Sequence, residues 1–263
     1  MDLENICNEV KMLSIYTGAF IRNMHTSTNQ SYKTKGKNDF VTTIDKQSEE
    51  KIVEGLSKIL PSAGFIAEEQ TVKQKTQEYM WVIDPIDGTT NFIHGLYPHA
   101  ISIALLKNNK PVIGVIYEIG QNECFYTWKN APAFCNGKEI FVSKNKTVEQ
   151  SLIATGFPYY NFSKLKEFTN TLEYFMQNSQ GIRRLGSAAT DLAYIACGRF
   201  DAFYEYGLKP WDVAAGILLV EQAGGSVSAF SLEKNPIFDS EIIASNSHVF
   251  KEFSTIISSN LNI

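Results

Sequence analysis

Cysteine and histidine are both scarce, with four of each in 263 residues. Cys7, Cys124, Cys135 and Cys197 show no C-x-x-C spacing, which excludes the common zinc and thioredoxin-type motifs and predicts reduced, mostly buried thiols in a cytosolic protein. No metalloprotease H-E-x-x-H is present. Gly137-Lys138 is followed by Glu139, so the G-x-x-x-x-G-K-[ST] phosphate loop is missing too. The longest apolar run, Val213 to Val220, is far too short to span a bilayer. Met1-Asp-Leu-Glu lacks the basic-then-apolar order of a signal peptide. Excess positive charge is absent as well: the net charge of -4 argues against a broad nucleic-acid footprint. The expectation is a cytoplasmic protein whose partners include neither membrane nor nucleic acid.

What is present is an ordinary globular composition, 44% hydrophobic and 20% charged, long enough for one large domain or two smaller ones. Leu3, Ile6, Val10, Leu13, Thr17, Phe20 and Met24 recur at three- and four-residue steps, predicting an opening amphipathic helix. A polar loop, Thr26 to Asp39, is expected next, carrying Lys33, Lys35 and Lys37. Val41 to Ile44 then leads into Asp45 and a second helix that Pro61 ends. Short β-prone runs fill the middle: Phe65–Ala67, Trp81–Asp84, Ile101–Leu106, Val112–Tyr117 and Glu123–Thr127. Helices are predicted near 163–177, 187–197 and 212–223, alternating with strands near Ile182, Ala202, Val227 and Ile242, before a terminal helix. The pattern is an α/β layered architecture with a boundary at the polar stretch Ser143 to Gln150.

Five carboxylates stand out: Glu68 and Glu69, Asp84 and Asp87, and Asp212. In Trp81-Val-Ile-Asp84-Pro-Ile-Asp87-Gly88-Thr89-Thr90-Asn91 an apolar strand runs into two acids, with Pro85 expected to end it. Turn chemistry and helix capping account for such a segment on its own. The apolar lead-in instead places Asp84 at a strand end, where α/β proteins gather functional groups. Two bare carboxylates ~4 Å apart repel by about 4 kcal/mol at a near-surface dielectric, a penalty that a divalent cation removes. Glu68-Glu69 also follows an apolar strand, and Asp212 is expected to cap a helix that is apolar all round and hence buried. An EF-hand fails, since the twelfth position is Gly95 or Pro98 rather than Glu. Hard oxygen donors without His or Cys favour Mg²⁺ over zinc or copper.

Asp84-Pro-Ile-Asp87-Gly-Thr89-Thr-Asn-Phe, Trp211-Asp212-Val-Ala-Ala-Gly with Glu221-Gln-Ala-Gly-Gly225, Glu68-Glu69, and Asp39-Phe-Val-Thr-Thr-Ile-Asp45 together resemble the inositol monophosphatase family in order and spacing. The resemblance covers nearly the whole chain. It implies a stacked αβαβα sandwich like that of fructose-1,6-bisphosphatases, in two sub-domains and usually homodimeric. The sub-domains would be 1–145, carrying most metal ligands, and 146–263, carrying Asp212 and substrate contacts. It further implies two or three Mg²⁺ per subunit on Glu68, Asp84, the Ile86 carbonyl, Asp87 and Asp212, the weakest ion resting on Glu68. Asp45 and Thr89 match the pair that activates the attacking water. Asp87, Asp212 and the N–H groups of Gly88 and Thr89 are expected at the phosphate, and Gly186, Ser187, Ala188 and Glu205 at the alcohol. Lys35 is the favoured match to a lysine that the family often places upstream of Asp45. His94 and His99 are assigned structural or supporting roles.

The implied activity is Mg²⁺-dependent hydrolysis of myo-inositol monophosphate, or of a similar polyol or sugar phosphate, with inhibition by lithium. Glu205, seven residues before Asp212, resembles the family's polyol-binding glutamate, and a carboxylate accepts hydrogen bonds from neighbouring ring hydroxyls. Histidinol-phosphate and fructose-1,6-bisphosphate phosphatases of the same fold remain alternatives, and so does a regulatory binding protein without turnover.

Overall fold

The computed structural model describes residues 1–27, 32–36, 39–72, 77–158, 161–231 and 233–261. The chain opens with helix α1 (Leu3–Ser27), as its apolar periodicity predicts, with Ile6, Val10 and Ile21 buried. The stretch expected as a polar loop instead contains an antiparallel hairpin, β1 (Tyr32–Gly36) and β2 (Asp39–Thr42). Tyr, Thr, Phe and Val alternating with lysine and polar residues satisfy strand propensity despite the charge. Lys33 and Lys35 fall on β1, and Lys37 lies outside the described residues. Helix α2 (Thr43–Ile59) follows.

A seven-stranded sheet comes next: β3 (Gly64–Ala67), β4 (Tyr79–Asp87), then, after the short helix α3 (Thr89–Ile93), β5 (Ala100–Lys107), β6 (Lys110–Glu118), β7 (Glu123–Trp128), β8 (Ala133–Cys135) and β9 (Lys138–Ile140). Strand order follows chain order, with only the β3–β4 pair parallel. Asn108 and Asn109, both at positive φ, make the β5–β6 turn. The β8–β9 hairpin was not expected, although its Asn136-Gly137 turn is a strong local signal.

The second half builds a five-stranded sheet from β10 (Leu152–Thr155), β11 (Gly181–Arg183), β12 (Ala202–Tyr206), β13 (Gly225–Ser228) and β14 (Glu241–Asn246), in the order β11-β10-β12-β14-β13. The helices between these strands are α4 (Leu165–Asn178), α5 (Ala188–Ala196) and α6 (Pro210–Gln222), and α7 (Phe250–Leu261) closes the chain. β10 was also missed by the sequence reading.

Side-chain alternation explains the stacking. On β4, Trp81 and Ile83 face a core shared with Val10 of α1 and Ile52 and Leu56 of α2. Their neighbours Met80 and Val82 face the opposite way, onto Leu192 of α5 and Ala215 and Leu219 of α6. The same middle core takes Phe203 and Ala244 from the five-stranded sheet. That sheet's other face, with Tyr204 and Ile243, packs on Phe168 and Phe175 of α4 and Phe253 of α7. The layers therefore run α1/α2, sheet, α5/α6, sheet, α4/α7: an αβαβα sandwich. Each fully buried side chain of this size contributes about 1.5–3 kcal/mol.

Candidate active site

The acids of the central segment are arranged by a break in strand pairing. β4 does not stop at Pro85 as expected. It runs on to Asp87, but Asp84 pairs with Ser102 and Asp87 with Ala100, so three steps on β4 oppose two on β5. Proline donates no ladder hydrogen bond and is accommodated at such a bulge. Residues three apart in a regular strand point to opposite faces, and the extra residue returns Asp84 and Asp87 to one face. Asp84 Oδ1 accepts from the Ile86 N–H at 2.9 Å, bracing the bulge. Gly88 follows at φ +91°, where a Cβ would lie 3.1 Å from the carbonyl oxygens of Gly186 and Pro98.

Asp212 arrives from the middle layer. It is the third residue of α6 rather than its cap: Pro210 takes the first position, which needs no N–H. Asp212 Oδ2 accepts from the Lys209 N–H at 2.7 Å. Ser102 Oγ, opposite Asp84, donates to the Trp211 carbonyl at 2.9 Å and ties the start of α6 to β5. Asp84, Asp87 and Asp212 thus present oxygens that all lie within 4.8 Å of one another. Glu68, at the end of β3, lines the same cavity and lies close enough to Asp84 to raise its pKa.

Asp45, buried in the first turn of α2, accepts from Thr89 Oγ1 at 3.2 Å. The same hydroxyl lies 3.0 Å from the Ile86 carbonyl. Asp87 Oδ2 accepts from Ser187 Oγ and from the Ala189 N–H, both at 2.7 Å, joining β4 to the start of α5.

Glu68, Asp84, Asp87, Thr89, Ser187 and Asp212 line one cavity of about 520 Å³, together with Ile86, Gly88, Gly186, Ala188 and Glu205, while Asp45 reaches it only through its contact with Thr89. Arg184, Gly156, Tyr206, Leu208 and Lys209 also line it and were missed by the sequence reading. The pair Arg183-Arg184 just before Gly186 was the available signal for the first of these. Gly156 carries no such signal, because its role depends on the distant Glu205. The Lys35 side chain lies outside what the structure describes. His99 is buried, its Nδ1 3.1 Å from the Leu96 carbonyl and its ring stacked on Tyr97, a structural position; His94 is exposed.

Electrostatically the cavity is strained. Burial, then the charges of Glu68, Asp87 and Asp212, hold Asp84 well above the usual carboxylate range. Burial pushes Asp87 up to about 6, against the pull of its Ser187 and Ala189 hydrogen bonds and of Arg184. Asp212 is raised by burial and by Asp87. Glu205 is pushed up to about 8 by burial, with Arg184 opposing and Asp87 adding. Buried Asp191, one turn into α5, is raised by burial and then by Glu205 and Asp87. Negative charge on converging hard oxygens, which Arg184 offsets only in part at Asp87 and Glu205, fits a divalent cation of the Mg²⁺ type. The Ile86 carbonyl, which accepts from the Thr89 hydroxyl at 3.0 Å, lies within the same bulge.

Comparison with known proteins shows the family. The inositol monophosphatase family model matches residues 2–260. The chain is 39% identical to an inositol-1-monophosphatase of Mesorhizobium japonicum, over 81% of this chain and 80% of that one. It is 41% identical to Nus factor SuhB of Escherichia coli K12, over 82% of each. The extragenic suppressor protein SuhB of Bartonella henselae superposes with a TM-score of 0.90 at 35% identity, covering 95% of this chain and 97% of that structure. The chain belongs to the inositol monophosphatase family.

Proposed function

We propose that this chain is a Mg²⁺-dependent phosphomonoesterase that hydrolyses myo-inositol monophosphate, or a closely similar polyol or sugar phosphate, to the free alcohol and phosphate. The observation that carries the proposal is the convergence of Asp84, Asp87 and Asp212, from β4 and α6, within 4.8 Å in a cavity that also holds Glu205. Glu68, Asp84, the Ile86 carbonyl, Asp87 and Asp212 would hold two or three Mg²⁺. When bound, these ions lower the pKa of the nucleophilic water and stabilise the charge developing on the ester oxygens.

The chain's own residues supply the rest. Asp45 accepts the Thr89 hydroxyl proton through their 3.2 Å contact, leaving the Thr89 oxygen to take a proton from the attacking water. The N–H groups of Gly88 and Thr89 receive phosphate oxygens. Gly186 to Ala188 and Glu205 hold the alcohol, with Glu205 accepting from its hydroxyls. Water attacks in line, its oxygen bonding to phosphorus as the bond to the ester oxygen breaks; that oxygen leaves with the bonding pair and takes a proton from solvent to give the free alcohol, and no side chain is phosphorylated. Homodimerisation and lithium inhibition are expected on the same basis.

Phosphate release with Mg²⁺ across inositol, sugar, histidinol and nucleotide phosphates tests the proposal, with fastest turnover expected on inositol phosphate. Glu205→Gln should weaken inositol phosphate turnover more than histidinol phosphate turnover. Isolation of a phosphorylated side chain would contradict direct attack by water. The similarity to a protein named a Nus factor favours a second reading, a binding role of that kind. Absence of release from every ester would select it over the phosphatase.

A further inference from the structure

Glu49 is fully buried on α2, one helical turn after Asp45 and on the same helix face, and the chemistry above does not use it. Its carboxylate is turned toward the loop that leaves β3. Oε2 accepts from the Glu69 N–H at 2.7 Å. Oε1 accepts from the Thr71 N–H at 2.8 Å and from the Thr71 hydroxyl at 2.7 Å. Three donors on a buried carboxylate, all more than twenty positions along the chain or close to it, are charge-assisted hydrogen bonds of the stronger kind. A loop of four residues, two of them exposed, does not by itself require such an anchor.

The purpose becomes clear at Glu68. Its own N–H donates to the Ile83 carbonyl of β4 at 3.2 Å, and the next N–H, that of Glu69, is the one Glu49 receives. Glu68 is therefore clasped between two backbone anchors, one on the strand that carries Asp84 and one on the helix that carries Asp45. We propose that Glu49 is a positioning residue: it fixes the Glu68–Thr71 loop to α2 so that the Glu68 carboxylate reaches the cation site at the distance set by Asp84. The inference rests on the assignment of Glu68 as a Mg²⁺ ligand in the proposed function.

Glu49→Gln tests it. The amide oxygen can serve the two Thr71 donors, but the NH₂ group then faces the Glu69 N–H, donor against donor, and that anchor opens. Hydrogen exchange at the Glu69 amide should accelerate. The Mg²⁺ dissociation constant measured by calorimetry, and the Mg²⁺ half-saturation of turnover, should both rise by about 10–100-fold. At saturating Mg²⁺, kcat and the KM for the ester should return to near wild-type values, which a general loss of structure does not allow. If Glu49→Gln does not fold, Thr71→Val removes one of the three donors from outside the core and should raise the same constants by about 2–10-fold. Wild-type Mg²⁺ affinity in both variants overturns the role of Glu49. Absence of Mg²⁺ binding by the wild-type protein overturns the metal assignment itself, and is seen without either variant.

Discussion

Gly156 and Glu205 make a quantitative prediction. An added Cβ at Gly156 would sit 2.0 Å from Cδ, Oε1 and Oε2 of Glu205. Ordinary van der Waals contact begins at 3.4 Å, so the carboxyl group must retreat by about 1.4 Å. Gly156 is not in the left-handed backbone region, so alanine adds no backbone strain there. The obstructing atoms are the far end of one side chain, which can swing into the cavity, and the fold should survive. A misplacement of roughly 1 Å in a substrate-positioning group costs on the order of 10²-fold. Gly156→Ala should therefore lower kcat/KM for inositol phosphate by about 10–100-fold, or about 1.4–2.7 kcal/mol of transition-state stabilisation. Hydrolysis of p-nitrophenyl phosphate, whose leaving group has no hydroxyls for Glu205 to receive, should change far less. In a Glu205→Ala background the Gly156 substitution should have almost no further effect, because the group it displaces is gone. Equal losses on both esters, or an undiminished loss without Glu205, would refute the steric argument.

Three further outcomes follow from the site. Asp87→Asn should abolish Mg²⁺-dependent turnover yet raise the melting temperature of the metal-free protein, because it removes one of three mutually repelling charges; both hydrogen bonds to Asp87 land on Oδ2 and an amide oxygen can keep them. Thr89→Val should lower kcat by about 10²–10⁴-fold with little change in KM, whereas Thr89→Ser should retain most activity. The pH dependence of stability, followed by thermal melts without metal, should be inverted relative to a salt-bridged carboxylate. Asp87 and Glu205 are raised to about 6 and about 8 in the folded state, from ordinary values of 3.8 and 4.5, so the folded protein binds more protons across those windows. Stability is then greatest at the acidic end and falls as pH rises to about 8, and Mg²⁺ should flatten the slope.

Much of this was legible in the sequence where one segment determines its own conformation. The periodicity of α1, the apolar lead-in to Asp84 and the apolar run of α6 each placed an element correctly. The β1–β2 hairpin was not legible, since its lysines read as loop chemistry and strand pairing depends on the partner. Pro85 reads as a strand end, whereas the neighbouring strand permits a bulge there. Asp212 reads as a cap from its own segment, whereas Pro210 two residues earlier takes the first helical position. Gly156 and Glu49 act only through residues remote in the chain, and one sequence carries no mark of that proximity.

The middle helix layer constrains how the cavity is reached. α6 packs against both sheets, so a hinge that parted the sheets would have to tear the helix from one of them and carry Asp212 away from Asp84 and Asp87. Such an opening would pull the three carboxylates apart. Access to the cavity is instead through its existing mouth, where Gly207 and Lys209 are exposed.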